Sequence, residues 1–371
     1  MTHPSEYPSR ILLAVTGMSP QILTETLWAL AVAEDPPFIP TEIRLLTTSL
    51  GKQRAQFALL SEDPGWLRRL SRDYALPPIQ FDASAIEVIQ DAHGNPMEDI
   101  RTPEDNEAAA TFLTERVRQL TSNEEVALHV SLAGGRKTMG YYLGYALSLY
   151  GRPQDRLSHI LVSAPFESSW DFFYPTPYER IIEVGPQKAL ANCQDAQIDL
   201  AHIPFVRLRD ELPTRFRKYH NFFTDIVAAA NCSLEPPLLR LESWNQAVQA
   251  DDQPIPLSKT EFAILYWLAK ETRSTEEWNW LLAGQRLLHV SQRVLPEISG
   301  AHGSMKESIE ARLKNVDLLI EYVAPHVSRI NKKFSDVLGI VAAKRYQIES
   351  HSIPRGDRYF LLPLPPESFQ E

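Results

Sequence analysis

The segment Val130-Ser-Leu-Ala-Gly-Gly-Arg-Lys-Thr-Met-Gly140 carries the residue types of an anion-binding turn. An apolar run at 126–132 leads into Gly134 and Gly135, and the basic pair Arg136 and Lys137 follows. A helical pattern then starts at Thr138 and runs through Tyr141, Tyr142, Leu143 and Ala146 to Tyr150. Glycines let backbone N–H groups approach a phosphate, and a helix N-terminus adds partial positive charge. Arginine and lysine add full charges. The plainer reading of the same residues is a tight turn with a solvated basic pair.

A second turn has related properties. The apolar run 11–15 stops at Thr16-Gly-Met-Ser-Pro-Gln21, and a helical pattern follows with Ile22, Leu23, Leu27, Leu30 and Ala31 on one face. Pro20 suits a first helical turn and Ser19 suits its N-cap. In an open parallel sheet, ligands sit outside the carboxyl ends of the strands where the strand order reverses. Two such turns at neighbouring strand ends would face one ligand. The plainer uses are a helix cap for Ser19 and a surface position for Lys137.

These turns need a frame to position them. Strand patterns fall at 11–15, 42–47, 85–89, 126–132 and 157–162, and helix patterns at 20–33, 52–60, 65–74, 103–120 and 137–150. This βαβα order predicts an α/β, Rossmann-like, mostly parallel sheet flanked by helices, with right-handed crossovers. No GxGxxG or Walker motif occurs, which disfavours an ordinary dinucleotide or ATP site. After the fifth strand, Ser163-Ala-Pro-Phe-Glu-Ser-Ser-Trp-Asp-Phe-Phe-Tyr-Pro-Thr-Pro177 is dense in aromatic residues at the same sheet edge. Its rings can stack on bases or fold back as a satellite core.

The domains are expected at 1–190 and 191–371. The second is read as mainly helical and similar to a winged helix-turn-helix. Leu257-Ser-Lys-Thr-Glu-Phe-Ala-Ile-Leu265 starts a helix with a Ser258–Glu261 capping box. Helices are expected at 304–324 and 327–338, the latter carrying Arg329, Asn331, Lys332 and Lys333, and a hairpin around Pro354-Arg-Gly-Asp357. Residues 278–303 stretch this spacing beyond a minimal winged helix. DNA is therefore one partner for this half, and a dimerisation module with a solvated basic face is the other reading.

Composition narrows the classes. The chain has 371 residues, 44% hydrophobic and 23% charged, which suits a globular protein of two or three domains. No apolar run reaches the length of a membrane span, and the polar start Met1-Thr-His-Pro-Ser-Glu-Tyr-Pro lacks a signal peptide's apolar core. Cys193 and Cys232 form no metal-type spacing, so no metal is expected and a reducing cytoplasm fits. The net charge of −10 excludes a chain that coats nucleic acid through its global field, so an anionic ligand needs a local basic pocket.

Thr16-Gly-Met-Ser-Pro-Gln-Ile-Leu-Thr-Glu-Thr26, Leu132-Ala-Gly-Gly-Arg-Lys-Thr-Met139 and Phe172-Phe-Tyr-Pro-Thr-Pro177 together resemble the CRISPR-associated Rossmann-fold (CARF) proteins, and among them the ring nucleases of type III CRISPR systems. The resemblance covers the first half of the chain. It implies a homodimer that binds one cyclic oligoadenylate across its two-fold axis. Such proteins cut cyclic tetra-adenylate without metal or cofactor and so switch off antiviral signalling. The resemblance carries Ser19 and Lys137 over as catalytic. Thr16, Gly17, Met18, Gln21, Gly134, Gly135, Arg136, Thr138, Phe166 and Trp170 are the expected ligand contacts. The alternative is a sensor without catalysis, in which the ligand acts on a winged-helix regulator. A HEPN-type Arg-x(4–6)-His ribonuclease ranks third. Its pattern fits Arg215 with His220, Arg152 with His159 and Arg345 with His351, and three matches in unrelated contexts read as coincidence.

Overall fold

The computed structural model describes residues 2–167, 169–232, 236–274, 316–352 and 358–370. The chain divides into two compact units, Met1–Arg209 with His220–Thr224, and Asp210–Tyr219 with Asp225–Glu371.

The first unit alternates strand and helix: β1 (Ser9–Val15), α1 (Gln21–Trp28), β2 (Glu42–Thr47), α2 (Ser49–Ala55), α3 (Trp66–Asp73), β3 (Ile86–Val88), α4 (Pro103–Leu120), β4 (Val126–Ser131), α5 (Lys137–Tyr150) and β5 (Arg156–Val162). A hairpin of β6 (Ile181–Val184) and β7 (Ala189–Asn192) and a last strand, β8 (Ile198–His202), follow. The sheet order is β3-β2-β1-β4-β5-β8. The first five strands run parallel and β8 runs antiparallel. All six residues of β4 are buried, as are Ile11 to Val15 of β1, because helices cover both faces of the central strands. The chain steps outward from β1 to β3 and then returns to β4, so the order reverses between β1 and β4.

Local chemistry sets the helix starts. Thr102 and Asp105 cap α4 reciprocally: Thr102 Oγ1 accepts from Asp105 N at 3.1 Å and Asp105 Oδ2 from Thr102 N at 3.0 Å, with Pro103 in the first turn. The stretch 185–212 looks irregular in sequence apart from an apolar run at 198–206, and the start of that run is β8, which pairs with β5 and extends the sheet. The first unit therefore reaches Arg209, past the boundary expected at 190.

The second unit contains α6 (Thr214–Lys218), α7 (Phe223–Cys232), β9 (Leu239–Glu242), β10 (Ala247–Ala250), β11 (Gln253–Pro254), α8 (Lys259–Ser274), α9 (Val316–Leu338), α10 (Ile340–Ala343), β12 (Glu349–Ser352), β13 (Arg358–Leu361) and β14 (Phe369–Gln370). Residues Phe223 and Thr224 of α7 fall within the first unit. A four-stranded sheet, β11-β10-β9-β14, accompanies the helices. Strands β9 to β11 are absent from the sequence reading. The break expected between 324 and 327 is also absent, for α9 continues through Pro325. Val323, Val327, Ile330, Phe334 and Leu338 form one buried stripe along it, and burial of that stripe outweighs the cost of the proline.

The expected Ser258–Glu261 capping box is present, with Ser258 N donating to Glu261 Oε2 at 2.7 Å. Lys333 Nζ donates to the same carboxylate at 2.6 Å. Burial alone would raise the Glu261 pKa, but Lys333 and Ser258 draw it down to about 2. Asn331 holds the backbone of Ile348 through both its N–H and its carbonyl. Of the four polar residues on the expected recognition helix, Lys333 and Asn331 are thus engaged internally, while Arg329 and Lys332 are exposed. Residues 278–303 and the turn 354–357 lie outside the described residues.

Candidate functional site

The turn after β1 is held by backbone and hydroxyl bonds. Thr16 N donates to Leu46 O at 3.0 Å, Thr16 Oγ1 donates to Ser19 O at 2.8 Å, and Thr47 Oγ1 donates to Thr16 O at 2.7 Å. Thr16 is fully buried, so its hydroxyl closes the turn and is not presented to a ligand as expected. Ser19 is not the N-cap. That position falls on Pro20, and no side chain caps α1. The Ser19 side chain is exposed, and among the described residues its hydroxyl has no hydrogen-bond partner. Met18 is also exposed.

The turn after β4 needs both its glycines. A Cβ on Gly134 would lie 1.9 Å from Ile22 Cδ1 and 2.7 Å from Val15 O, and Gly135 has φ +76°. The first position has no room for a side chain and the second is left-handed backbone. Lys137 opens α5, exposed at the positive end of the helix, with Thr138 beside it. Among the described residues Lys137 has neither an ion pair nor a hydrogen bond to its side chain.

The two turns meet. A Cβ built on Gly17 would lie 3.7 Å from the Cα of Gly135, and one built on Gly51 would lie 2.6 Å from the Gly17 carbonyl oxygen. The backbones following β1, β2 and β4 therefore converge at one sheet edge. Ser19 and Lys137 stand two residues beyond Gly17 and Gly135. This is the crevice at which α/β sheets bind ligands.

Arg136 is held differently from its expected role. Its Nε and Nη2 donate to Asp99 Oδ1 at 2.9 Å and Oδ2 at 2.5 Å. The Arg136 guanidinium holds the Asp99 carboxyl down at about 2. Asp99 lies in the connection between β3 and α4, which is pinned where Ser49 N donates to Met97 O at 2.9 Å. Sequence reasoning missed Asp99, because 37 positions separate it from Arg136 and no local signal links them.

The aromatic segment divides. Phe166, Phe172, Phe173 and Tyr174 are buried, and Phe166 packs on Phe172 at 5.0 Å between ring centroids. Phe166 is thus core, not a stacking platform. Trp170 is 58% exposed, and the Arg54 guanidinium lies 4.8 Å from its ring centroid. Gln21 Nε2 donates to Trp170 O at 2.8 Å, which ties this segment to the β1 turn. Gln21 Oε1 is buried and has no hydrogen-bond partner among the described residues. Arg54 is exposed while it stacks on Trp170, and Lys52 Nζ donates to Ile86 O at 2.7 Å.

Glu25, one turn beyond Gln21 on α1, is 6% exposed, and burial pushes its carboxyl up to about 8. Two arginines of the loose Arg-x(4–6)-His pattern are committed elsewhere, Arg152 to Asp155 and Arg345 to Asp251. Among the described residues no group of three His, Cys, Asp or Glu side chains is assembled to hold a metal, and no helix is long and apolar enough to cross a membrane.

A mostly parallel, Rossmann-type sheet with glycine turns meeting at its switch point defines the first unit as a Rossmann-like α/β domain. The chain belongs to the CRISPR-associated protein NE0113 family, whose sequence model matches residues 19–226, from Ser19 through the whole of the β4 turn. Among solved structures, Enterococcus italicus Csm6 bound to cyclic hexa-2′-fluoro-hexa-dAMP is similar at 10% identity with a TM-score of 0.24. That comparison covers 88% of this chain and 57% of the other, so the chain spans little more than half of that protein's length. No curated protein matches the sequence.

Proposed function

We propose that this chain is a metal-independent ring nuclease that binds cyclic oligoadenylate, cyclic tetra-adenylate in the simplest case, at the meeting of the β1 and β4 turns. The observation that carries this reading is the approach of Gly17 to Gly135, beside which the Ser19 hydroxyl and the Lys137 ammonium have no partner among the described residues. Membership of a CRISPR-associated family supports the biological setting.

The substrate brings its own nucleophile. The ribose 2′-hydroxyl gives up its proton to solvent and attacks the adjacent phosphorus, the bond to the 5′-oxygen of the next nucleotide breaks, and that oxygen takes up a proton from solvent, so no proton is gained or lost overall. The product is a linear oligoadenylate with a 2′,3′-cyclic phosphate. The protein's part is to hold the three atoms in line and to stabilise the charge on the phosphoryl oxygens. Lys137 and the N–H groups at the start of α5 supply that charge stabilisation. Ser19 fixes the 2′-hydroxyl or a phosphate oxygen, and Trp170 offers a ring face to a base. A two-fold dimer presents two copies of each group to one symmetric ring.

The test is to incubate the purified protein with labelled cyclic tetra-adenylate and EDTA and to identify products by mass. Linear product from the wild-type protein, lost in Lys137→Ala and reduced in Ser19→Ala, is the expected result. An intact ring with wild-type protein ends the enzymatic reading. Cleavage surviving both substitutions ends the assignment of these residues.

A further inference from the structure

The amino-terminal edge of the sheet, at the other end of the strands from the glycine turns, holds a cleft of about 680 Å³. This lies within the usual range of small-molecule sites, ~300–1,000 Å³. We propose that the cleft is a second ligand site, for a small anion that joins a phosphate to a flat ring, of the nucleoside monophosphate class.

Charge is the first argument. Arg156 and Arg207 both line the cleft, and among the described residues neither pairs with a carboxylate. The nearest acid in sequence, Asp155, is fully buried and committed to Arg152 at 2.9 Å. Backbone carbonyls hold the two guanidiniums in place. Arg156 Nη1 donates to Pro153 O at 2.7 Å, and Arg207 Nε donates to Arg152 O at 3.0 Å. Nε and Nη2 of Arg156 and Nη1 of Arg207 keep no partner among the described residues. Burial and the neighbouring Arg207 charge push the Arg156 pKa below its usual value. Two fixed like charges with spare donors are what an oxyanion requires.

The walls supply the second argument. Phe38 and Phe205 line the cleft, and the Arg207 guanidinium lies 4.4 Å from the Phe205 ring centroid. Phe38 packs at 5.4 Å from the ring of His129, which is 2% exposed and bonded through Nε2 to Ser158 Oγ at 2.7 Å. Burial pushes His129 down to about 3, so the imidazole is neutral and its Nδ1 has no partner among the described residues. Glu34, 3.2 Å from His202, adds a carboxylate at the rim. An apolar aromatic floor with a few hydrogen-bonding groups suits a heterocycle and its sugar.

The proposal does not rest on the ring-nuclease reading, because the two sites occupy opposite ends of the strands. The test is titration calorimetry of the full chain with adenosine 5′-monophosphate, inorganic phosphate and adenosine as separate probes. The expected result is that the nucleotide binds about tenfold or more tightly than either half alone. Arg207→Gln and Arg156→Gln each weaken the nucleotide by about tenfold, and Lys137→Ala leaves it unchanged. Phe205→Leu removes the ring while keeping an apolar side chain, and it gives a reading if the arginine variants fail to fold. No nucleotide binding to the wild-type protein, unchanged binding in Arg207→Gln or in Phe205→Leu, or loss of binding in Lys137→Ala overturns the proposal.

Discussion

Asp99 grips Arg136 with both carboxylate oxygens, at 2.9 and 2.5 Å, across the mouth of the β4 turn. One of the two cations offered by the Gly-Gly-Arg-Lys segment is therefore neutralised before any ligand arrives. Asp99→Asn preserves the shape and removes the charge. Its expected effect is tighter binding of cyclic oligoadenylate, by about threefold or more, and a steeper fall of affinity with salt, since one more cation meets phosphate. Calorimetry at several salt concentrations measures both. Unchanged affinity and slope would show that Arg136 takes no part in binding.

Gly134 and Gly140 stand six residues apart and predict opposite outcomes. A methyl group at Gly134 meets Ile22 Cδ1 at 1.9 Å and the fixed Val15 carbonyl at 2.7 Å. Gly134→Ala is expected to cost about 1–3 kcal/mol and to lower Tm. At Gly140, within α5, the nearest atom would be at an ordinary 3.7 Å. Gly140→Ala is expected to stabilise by about 0.5–1 kcal/mol, because alanine suits a helix interior better. Thermal melts of the two variants side by side decide the matter.

Glu25 makes stability depend on pH. Its folded pKa, about 8, lies above the ordinary carboxyl value, because burial disfavours the charged form. The contribution is fully present below the unfolded pKa and is lost as pH rises toward about 8, with a slope of at most about 1.4 kcal/mol per pH unit. Urea denaturation from pH 5 to 9 is expected to show this decline, and Glu25→Gln to flatten it and raise stability at pH 8. A parallel decline in the variant would assign the slope to other groups.

Arg152 and Asp155 form a buried pair at the connection from α5 to β5, with side chains 2% and 0% exposed. Asp155 also accepts from Leu128 N at 3.0 Å, and Arg152 Nη2 donates to Val126 O at 2.9 Å. Asp155→Ala strands a buried guanidinium and is expected to cost about 3–5 kcal/mol. The double replacement Arg152→Leu with Asp155→Leu is expected to lose less than the single one, which a double-mutant cycle in urea measures.

The first unit was largely legible because its signals are local. Apolar runs such as 11–15 and 126–132 end at small residues, and the spacing from Pro103 to Leu120 marks one helix. Strand β8 was not legible, since its burial alternates only partly and its partner, β5, must be known before it reads as a strand. Strands β9 to β11 are only four, four and two residues long, too short for an alternating pattern to stand out, and they pair with one another and with β14. Ser19 resembles a helix cap by sequence, yet the cap position falls on Pro20 and leaves the hydroxyl unused.

By itself, the sequence determined the alternation of strands and helices, the two small-residue turns and the basic pair after the second. These follow from periodicity and backbone preference within a few residues. Tertiary structure alone decided that Gly17 meets Gly135, that Asp99 occupies Arg136, that Phe166 is core while Trp170 faces outward, and that Arg156 and Arg207 share a cleft in which, among the described residues, neither pairs with a carboxylate. Each of these joins residues far apart in the chain, and pairing, burial and charge at such separations are set only when the sheet order brings them together.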